Sequence, residues 1–202
     1  MRSSELVERY PRCFHMALGE AWPSIRSHGL LSAAELARRF DATPGQARRI
    51  AALRPDVVAL RGANGESALV RDQKPMNEAK LRSSLTDMTV EQWLDRLNSL
   101  VFFAATAKRL ESLWSAYRDR TCTVMTVDTA ALLASHGPDV LLSHLNTGAV
   151  RMPFHYRGSD TFQPVAAFEH RGKDWVAEIV VPNAVPDIES LVVDVEVRRP
   201  ST

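Results

Sequence analysis

One acidic residue interrupts an apolar run near the end of the chain: Glu178, in Trp175-Val176-Ala177-Glu178-Ile179-Val180-Val181-Pro182. Strand side chains alternate between faces, so Val176, Glu178 and Val180 are expected on one face and Ala177, Ile179 and Val181 on the other. Both faces are apolar, which predicts a strand buried on both sides. An unpaired carboxylate in that setting costs several kcal/mol or shifts its pKa. Two arrangements resolve the conflict, and both stay open here. Either a basic partner meets Glu178 in a structural ion pair, or the strand borders a cleft and aims the carboxylate into it. A carboxylate aimed into a cleft can stabilise developing positive charge or accept a proton.

Other polar and aromatic residues sit at or near the ends of apolar runs. His15 lies in Arg12-Cys13-Phe14-His15-Met16-Ala17. Its plainest role is a core histidine bonded to a backbone carbonyl. The functional alternative is a neutral imidazole that orients a ligand. Arg71 follows Ala68-Leu69-Val70 and is either a surface arginine or a bidentate anion contact. Phe102 and Phe103, in Leu100-Val101-Phe102-Phe103-Ala104, read first as core, with stacking on a flat ring as the alternative. Asn146, Thr147, Arg157, Asp160 and Thr161 fall in a stretch rich in Gly, Pro, Asn and Arg, expected to be a long loop over 146–162. Turn chemistry accounts for Asn146 and Asp160 there.

Several chemistries lack their signatures. No His-x-x-x-His pair, Cys/His cluster or carboxylate repeat has metal-ligand spacing, so no metal is expected. A phosphate loop, a G-x-G-x-x-G dinucleotide fingerprint and a G-x-S-x-G nucleophile elbow are all missing.

The elements that must position these residues are legible from periodicity and punctuation. Strands are expected over 12–17, 57–60, 68–70, 100–104, 121–128, 175–181 and 191–197. Helices are expected over 21–28, closed by Gly29, and over 33–40, capped by Ser32. Further helices are expected over 44–53 after Thr43, over 77–84, over 89–98 behind a hydroxyl N-cap, and through Arg109 to Trp114. Thr129 is expected to cap a short helix to Ser135. Gly62-Ala63-Asn64-Gly65 signals a turn, and the run Arg71 to Pro75 a charged loop. Helices dominate the first half and strands the second, which predicts an α+β fold.

A chain of 202 residues suits a single domain, 1–202, able to bury a core without staples. Net charge is +1, so bulk electrostatics favour neither nucleic acid nor membrane. No apolar run approaches membrane-spanning length. The two cysteines, Cys13 and Cys122, both lie in apolar strand-like runs and read as buried reduced thiols. The first residues, Met1 to Leu6, lack the apolar segment of a signal peptide, and a cytoplasmic protein is expected.

The ordered set of motifs resembles the DarT-type DNA ADP-ribosyltransferases. The resemblance rests on Phe14-His15-Met16 followed by Trp22-Pro23-Ser24-Ile25-Arg26-Ser27-His28-Gly29-Leu30-Leu31, on Leu100-Val101-Phe102-Phe103-Ala104, and on Ala177-Glu178-Ile179-Val180-Val181-Pro182 with Val185-Pro186 and Ile188. It touches both ends and the middle of the chain. It implies an ADP-ribosyltransferase-like split central β-sheet flanked by helices, with NAD as substrate, no metal, and a nucleobase in DNA or RNA as acceptor. Glu178 would be the catalytic carboxylate. His15 would hold the adenosine ribose, and Arg71, or secondarily Arg157, the pyrophosphate. Phe102 or Phe103 would wall the nicotinamide. An antitoxin protein is a further implied partner. The same site with water as acceptor would be an NAD glycohydrolase, and with Glu178 merely ion-paired a silent binding module. The sequence departs from that family in the segment after the aromatic strand, where Thr106, Lys108 and Arg109 stand, and in the loop before Glu178. Arg71-Asp72-Gln73-Lys74-Pro75-Met76 and Arg157-Gly158-Ser159-Asp160-Thr161-Phe162 are also similar to signatures of an uncharacterised bacterial domain family.

Overall fold

A computed structural model describes residues 1–63, 65–74, 76–150, 152, 154–172 and 175–200. Asn64 of the expected turn, Pro75 of the charged loop, and residues 151 and 153 of the long loop lie outside them. Among the described residues the chain runs α1 (Ser3–Arg9), β1 (Arg12–Leu18), α2 (Trp22–His28), β2 (Leu30–Leu31), α3 (Ala33–Arg39), α4 (Pro44–Ala51), β3 (Val58–Arg61) and β4 (Ser67–Val70). It continues through α5 (Glu78–Ser84), α6 (Val90–Asn98), β5 (Leu100–Ala104), α7 (Ala107–Ser115), β6 (Cys122–Asp128) and α8 (Thr129–His136). It closes with β7 (Leu141–Ser143), β8 (Gln163–Pro164), β9 (Glu178–Pro182), β10 (Ala184–Val185), α9 (Ile188–Leu191) and β11 (Val192–Arg198).

Side-chain caps fix most helix starts. The hydroxyl of Ser32 accepts from the Glu35 amide, and Thr43 and Thr89 form reciprocal capping boxes with Gln46 and Gln92. The expectation for the eighth helix is off by one residue. Asp128, the last residue of β6, accepts from the Ala131 amide at 2.9 Å, so Thr129 is the first helical residue and not the cap.

Seven strands form one antiparallel sheet in the order β11-β6-β1-β5-β9-β7-β8. The fold is therefore α+β, a large antiparallel sheet flanked by helices. The pairing is uneven. β1 is in register with β6 along its whole length, from Arg12 opposite Asp128 to Leu18 opposite Cys122. β5 is likewise in register with β9 from Leu100 opposite Pro182 to Ala104 opposite Glu178. Between β1 and β5 the register holds at one pair, Phe14 opposite Ala104. The sheet is thus two halves, β11-β6-β1 and β5-β9-β7-β8, touching near one end of each middle strand.

Both faces are covered. One buries Cys13, Val101, Phe103, Met125, Val127, Leu142, Ile179 and Val181 against Leu6 of α1, Leu132 of α8 and Ile188 and Leu191 of α9. On the other face each half has its own core. Met16, Leu18 and Val124 pack on Leu110 of α7 and on Tyr117, while Leu100 and Val180 pack on Leu81 of α5 and Trp93, Leu94 and Leu97 of α6. A further cluster, Phe40, Ile50, Val58, Leu60 and Val70, joins α3 and α4 to the β3–β4 hairpin.

At Gly29 the backbone is in the left-handed region (φ 79°), and a Cβ there would meet Pro186 Cα at 2.7 Å. That close approach seats β2 beside β10, with Leu30 opposite Val185. Cys13 and Cys122 are free and buried, and they lie toward opposite ends of the paired β1 and β6. Among the described residues no helix is long and apolar enough to cross a membrane.

Candidate active site

Glu178 is the first residue of β9, opposite Ala104 of β5 on one side and Ser143 of β7 on the other. The expected strand from Trp175 starts three residues later. The preceding segment is held by other bonds: the Val176 amide donates to the Tyr10 hydroxyl (3.1 Å) and the Ala177 amide to the Ser143 carbonyl (2.7 Å). Val176 consequently packs in the core with Ile179 and Val181, not on the face of Val180 as strict alternation predicts. Beyond Glu178 the expectation holds, and Ile179, Val180 and Val181 are buried.

Among the described residues, Thr147 grips the Glu178 carboxylate at both oxygens. Oε1 accepts from the Thr147 amide (3.1 Å) and Oε2 from the Thr147 hydroxyl (2.7 Å). Burial pushes its pKa up to about 7, against those two bonds and the charges of Arg109 and Arg71, which act to lower it. At neutral pH the group is therefore poised between charged and protonated forms, which suits a group that must carry charge or take a proton.

His15 sits at the gap between the two half-sheets. Its Nδ1 is 2.8 Å from the Phe102 carbonyl of β5, and its ring meets Phe103 edge-on with centroids 5.9 Å apart. A carbonyl only accepts, so Nδ1 carries the hydrogen. Burial pushes the imidazole pKa down to about 4, against that hydrogen bond and with the help of the Arg71 charge, so the ring is neutral at pH 7 and Nε2 keeps a lone pair. This carbonyl bond is the structural role expected of a core histidine; it also fixes the tautomer a ligand would meet. His15 and Glu178 are not on adjacent strands. They flank β5, and register sets Phe14, Ala104 and Glu178 in one row on one face, while His15, the next residue along, lies with Met125 and Phe103 toward the opposite face.

Arg71 leaves the end of β4 partly buried, its guanidinium 5.6 Å from the centre of the Tyr117 ring. Its charge lowers the pKa of both His15 and Glu178, which places one cation in electrostatic reach of both. The two phenylalanines separate. Phe103 is fully buried in the main core and cannot wall a ligand site. Phe102 is partly buried on the other face, edge-on to Phe162 with centroids 6.1 Å apart. Only Phe102 remains a stacking candidate.

Arg157 is not an open anion site. It is 3% exposed, and its guanidinium donates to the carbonyls of Thr147, Ala149 and His155 at 3.3–3.4 Å. The phrase around it is a loop anchor. The Arg157 amide donates to the Ser84 carbonyl (2.9 Å), and its carbonyl accepts from the Thr86 amide (3.0 Å). Gly158 lies so close to Thr86 and Asp87 that a Cβ would collide with both side chains. The Ser159 amide and hydroxyl donate to Asp87, the Gly158 amide to the Thr161 hydroxyl, and Phe162 stacks on Trp93.

The phrase beginning at Arg71 is likewise a brace. The buried Arg54, which the sequence did not single out, donates Nε to the Arg71 carbonyl (3.1 Å) and Nη1 to Asn98 (2.8 Å) and to the Ile50 carbonyl. Its amide donates to the Gln73 side chain, and its carbonyl accepts from the Gln73 amide. Burial, then the nearby Arg71 charge, pushes the Arg54 pKa down to about 10, leaving it cationic at pH 7. Thr147 was legible only as a loop hydroxyl; no spacing rule ties it to a carboxylate 31 residues away. An open groove of about 600 Å³ lies elsewhere, lined by Asp87, Met88, Gln92, Asp95 and Arg96 but by neither Glu178 nor His15.

A family model described as a family of unknown function, DUF7002, matches residues 11–192. The chain belongs to the DUF7002 family. The matched segment runs from just before β1 into the start of β11, so it takes in His15, Arg71, Thr147, Arg157 and Glu178 of this DUF7002 protein. No curated protein matches the chain.

Proposed function

We propose that this protein is an NAD-dependent ADP-ribosyltransferase with an ADP-ribosyltransferase-like split sheet, modifying a nucleobase in DNA or RNA. The observation that carries the reading is a contiguous trio of strands. β1 brings His15, β5 the partly buried Phe102, and β9 a carboxylate gripped by Thr147, with the sheet parting between β1 and β5. The choice of acceptor rests on the resemblance to DarT-type enzymes.

In this reading NAD loses neutral nicotinamide as the bond to ribose C1′ breaks, and positive charge develops on the ribose. Ionised Glu178 stabilises that charge at fixed distance, because Thr147 holds both its oxygens. The acceptor nitrogen or oxygen then bonds C1′, and the proton it sheds passes to a carboxylate of matched pKa. The Nε2 lone pair of His15 accepts from a ribose hydroxyl, and Arg71 offsets pyrophosphate charge.

The test is incubation of the protein with NAD and mixed nucleic acid, with nicotinamide measured and nucleic acid and protein analysed by mass spectrometry. The expected result is nicotinamide release matched by an ADP-ribose adduct on a nucleobase. Nicotinamide without any adduct replaces transfer by hydrolysis. Absence of both NAD binding and nicotinamide release overturns the reading and leaves a binding module.

A further inference from the structure

We infer that Thr147 and Arg157 are positioning residues for Glu178: Arg157 gathers the loop carbonyls and fixes Thr147, which in turn fixes the carboxylate. The catalytic meaning of this chain rests on the function proposed above, but its structural part does not.

The connections run in one direction through the fold. The α5–α6 turn holds the Arg157 main chain through Ser84 and Thr86. The Arg157 guanidinium, 5.9 Å from the centre of the Trp93 ring, ties the carbonyls of residues 147, 149 and 155 into one knot. Thr147 lies inside that knot, 1% exposed, with its carbonyl on Arg157 and its amide and hydroxyl on Glu178. A two-point grip from one residue fixes both the position and the rotation of a carboxylate. Its donors favour the charged form at a place where burial favours the neutral one.

The charged groups around Glu178 have different parts. Arg109 and Arg71 lower its pKa directly through their fields. Burial lowers the pKa of Arg157 and the Glu178 charge opposes that shift, so this cation is also within reach of the carboxylate and favours its charged form. Its hydrogen bonds, however, go to the loop carbonyls of Thr147, Ala149 and His155, so beyond its field it has a mechanical role that reaches Glu178 through Thr147. A lysine would keep the charge but lose the planar fork that reaches three carbonyls at once.

The experiment follows the Glu178 carboxyl carbon by NMR across pH in the 202-residue chain labelled at glutamate, with the signal assigned by its loss in Glu178→Gln. Thr147→Val, near-isosteric but lacking the hydroxyl, is expected to raise the Glu178 midpoint by about one pH unit. Thr147→Ser, which keeps the donor, is expected to return it to the wild-type value. Arg157→Lys is expected to raise the midpoint despite its retained charge. In the NAD reaction the acid limb of kcat should move by the same amount with KM unchanged. If NAD proves not to be the substrate, the NMR titration still decides. An unmoved midpoint in folded Thr147→Val overturns the grip, and an unmoved midpoint in folded Arg157→Lys overturns the mechanical role of Arg157. Should Arg157→Lys fail to fold, Gly158→Ala loosens the same anchor from outside the knot, and an unmoved midpoint there counts equally against it.

Discussion

Two partly buried groups with opposite titration habits sit on either side of β5, and their shifts are of similar size. The folded pKa of Glu178 rises from 4.5 to about 7, so the folded state holds more protons than the unfolded state across that window. Stability from this group therefore falls as pH rises from about 4.5 to about 7, by at most about 3 kcal/mol, less whatever the residue's partial exposure screens. His15 runs the other way. Its folded pKa drops from 6.5 to about 4, so its contribution is full above about 6.5 and is lost as pH falls through about 4. The two nearly cancel between about 4.5 and 6.5, and each appears only when the other is removed. Glu178→Gln is thus expected to be more stable than wild type at pH 8, with the gain vanishing near pH 4, as measured by denaturant titration at both pH values. The same variant should lose on the order of 10²–10³ in nicotinamide release, as when one preorganised electrostatic group is removed. A variant that is less stable at pH 8 and equally active would end the catalytic reading. For His15, nitrogen-15 NMR should report the Nδ1–H tautomer at pH 7 and a midpoint near 4; a midpoint near 6.5 would mean the ring is not withdrawn from water.

At the scale of elements, the described residues of the loop over 146–162 are tied in at both ends. Its far end is clamped on the α5–α6 turn through Arg157, Gly158 and Ser159, and its near end carries Thr147 to β9. Gly158→Ala introduces a methyl where Thr86 and Asp87 already sit. The expected cost is on the order of 1–3 kcal/mol, with limited proteolysis newly cutting within the loop while the strands stay protected. An alanine variant as stable and as protease-resistant as wild type would show that the turn yields without moving the loop.

Across the whole molecule, the β3–β4 hairpin is a sheet of its own with its own core, and Arg54 helps to tie it to the rest. From one guanidinium it reaches Arg71 at the end of β4, Asn98 at the end of α6 and Ile50 in α4. Arg54→Ala leaves these groups without their donor in a buried place. It is expected to cost about 2–4 kcal/mol. Because the Arg71 main chain loses its tether, the KM for NAD should rise by more than kcat falls. A variant with lowered stability but unchanged KM would remove Arg71 from the ligand site.

The main elements were legible because local rules set them. Hydroxyl residues before amphipathic runs, Pro at first turns and Gly29 at a helix end mark boundaries through bonds made within a few residues, and the apolar runs of β5, β6 and β9 announce burial. Glu178 stood out because a carboxylate in such a run always needs an explanation. What supplied the explanation was not local. Thr147, Arg157 and Arg54 act through contacts 31, 10 and 44 residues away, between groups whose types are ordinary for loops and helix ends. The short strands β2, β7, β8 and β10 exist only because a partner from elsewhere in the chain completes their bonds. Sequence alone thus determined which residues must be buried and which of them is anomalous. The tertiary structure decided which bonds hold the anomaly, that Phe103 belongs to the core, and that Arg157 steadies the site from behind, because those outcomes depend on which distant segments the packing of two half-sheets brings together.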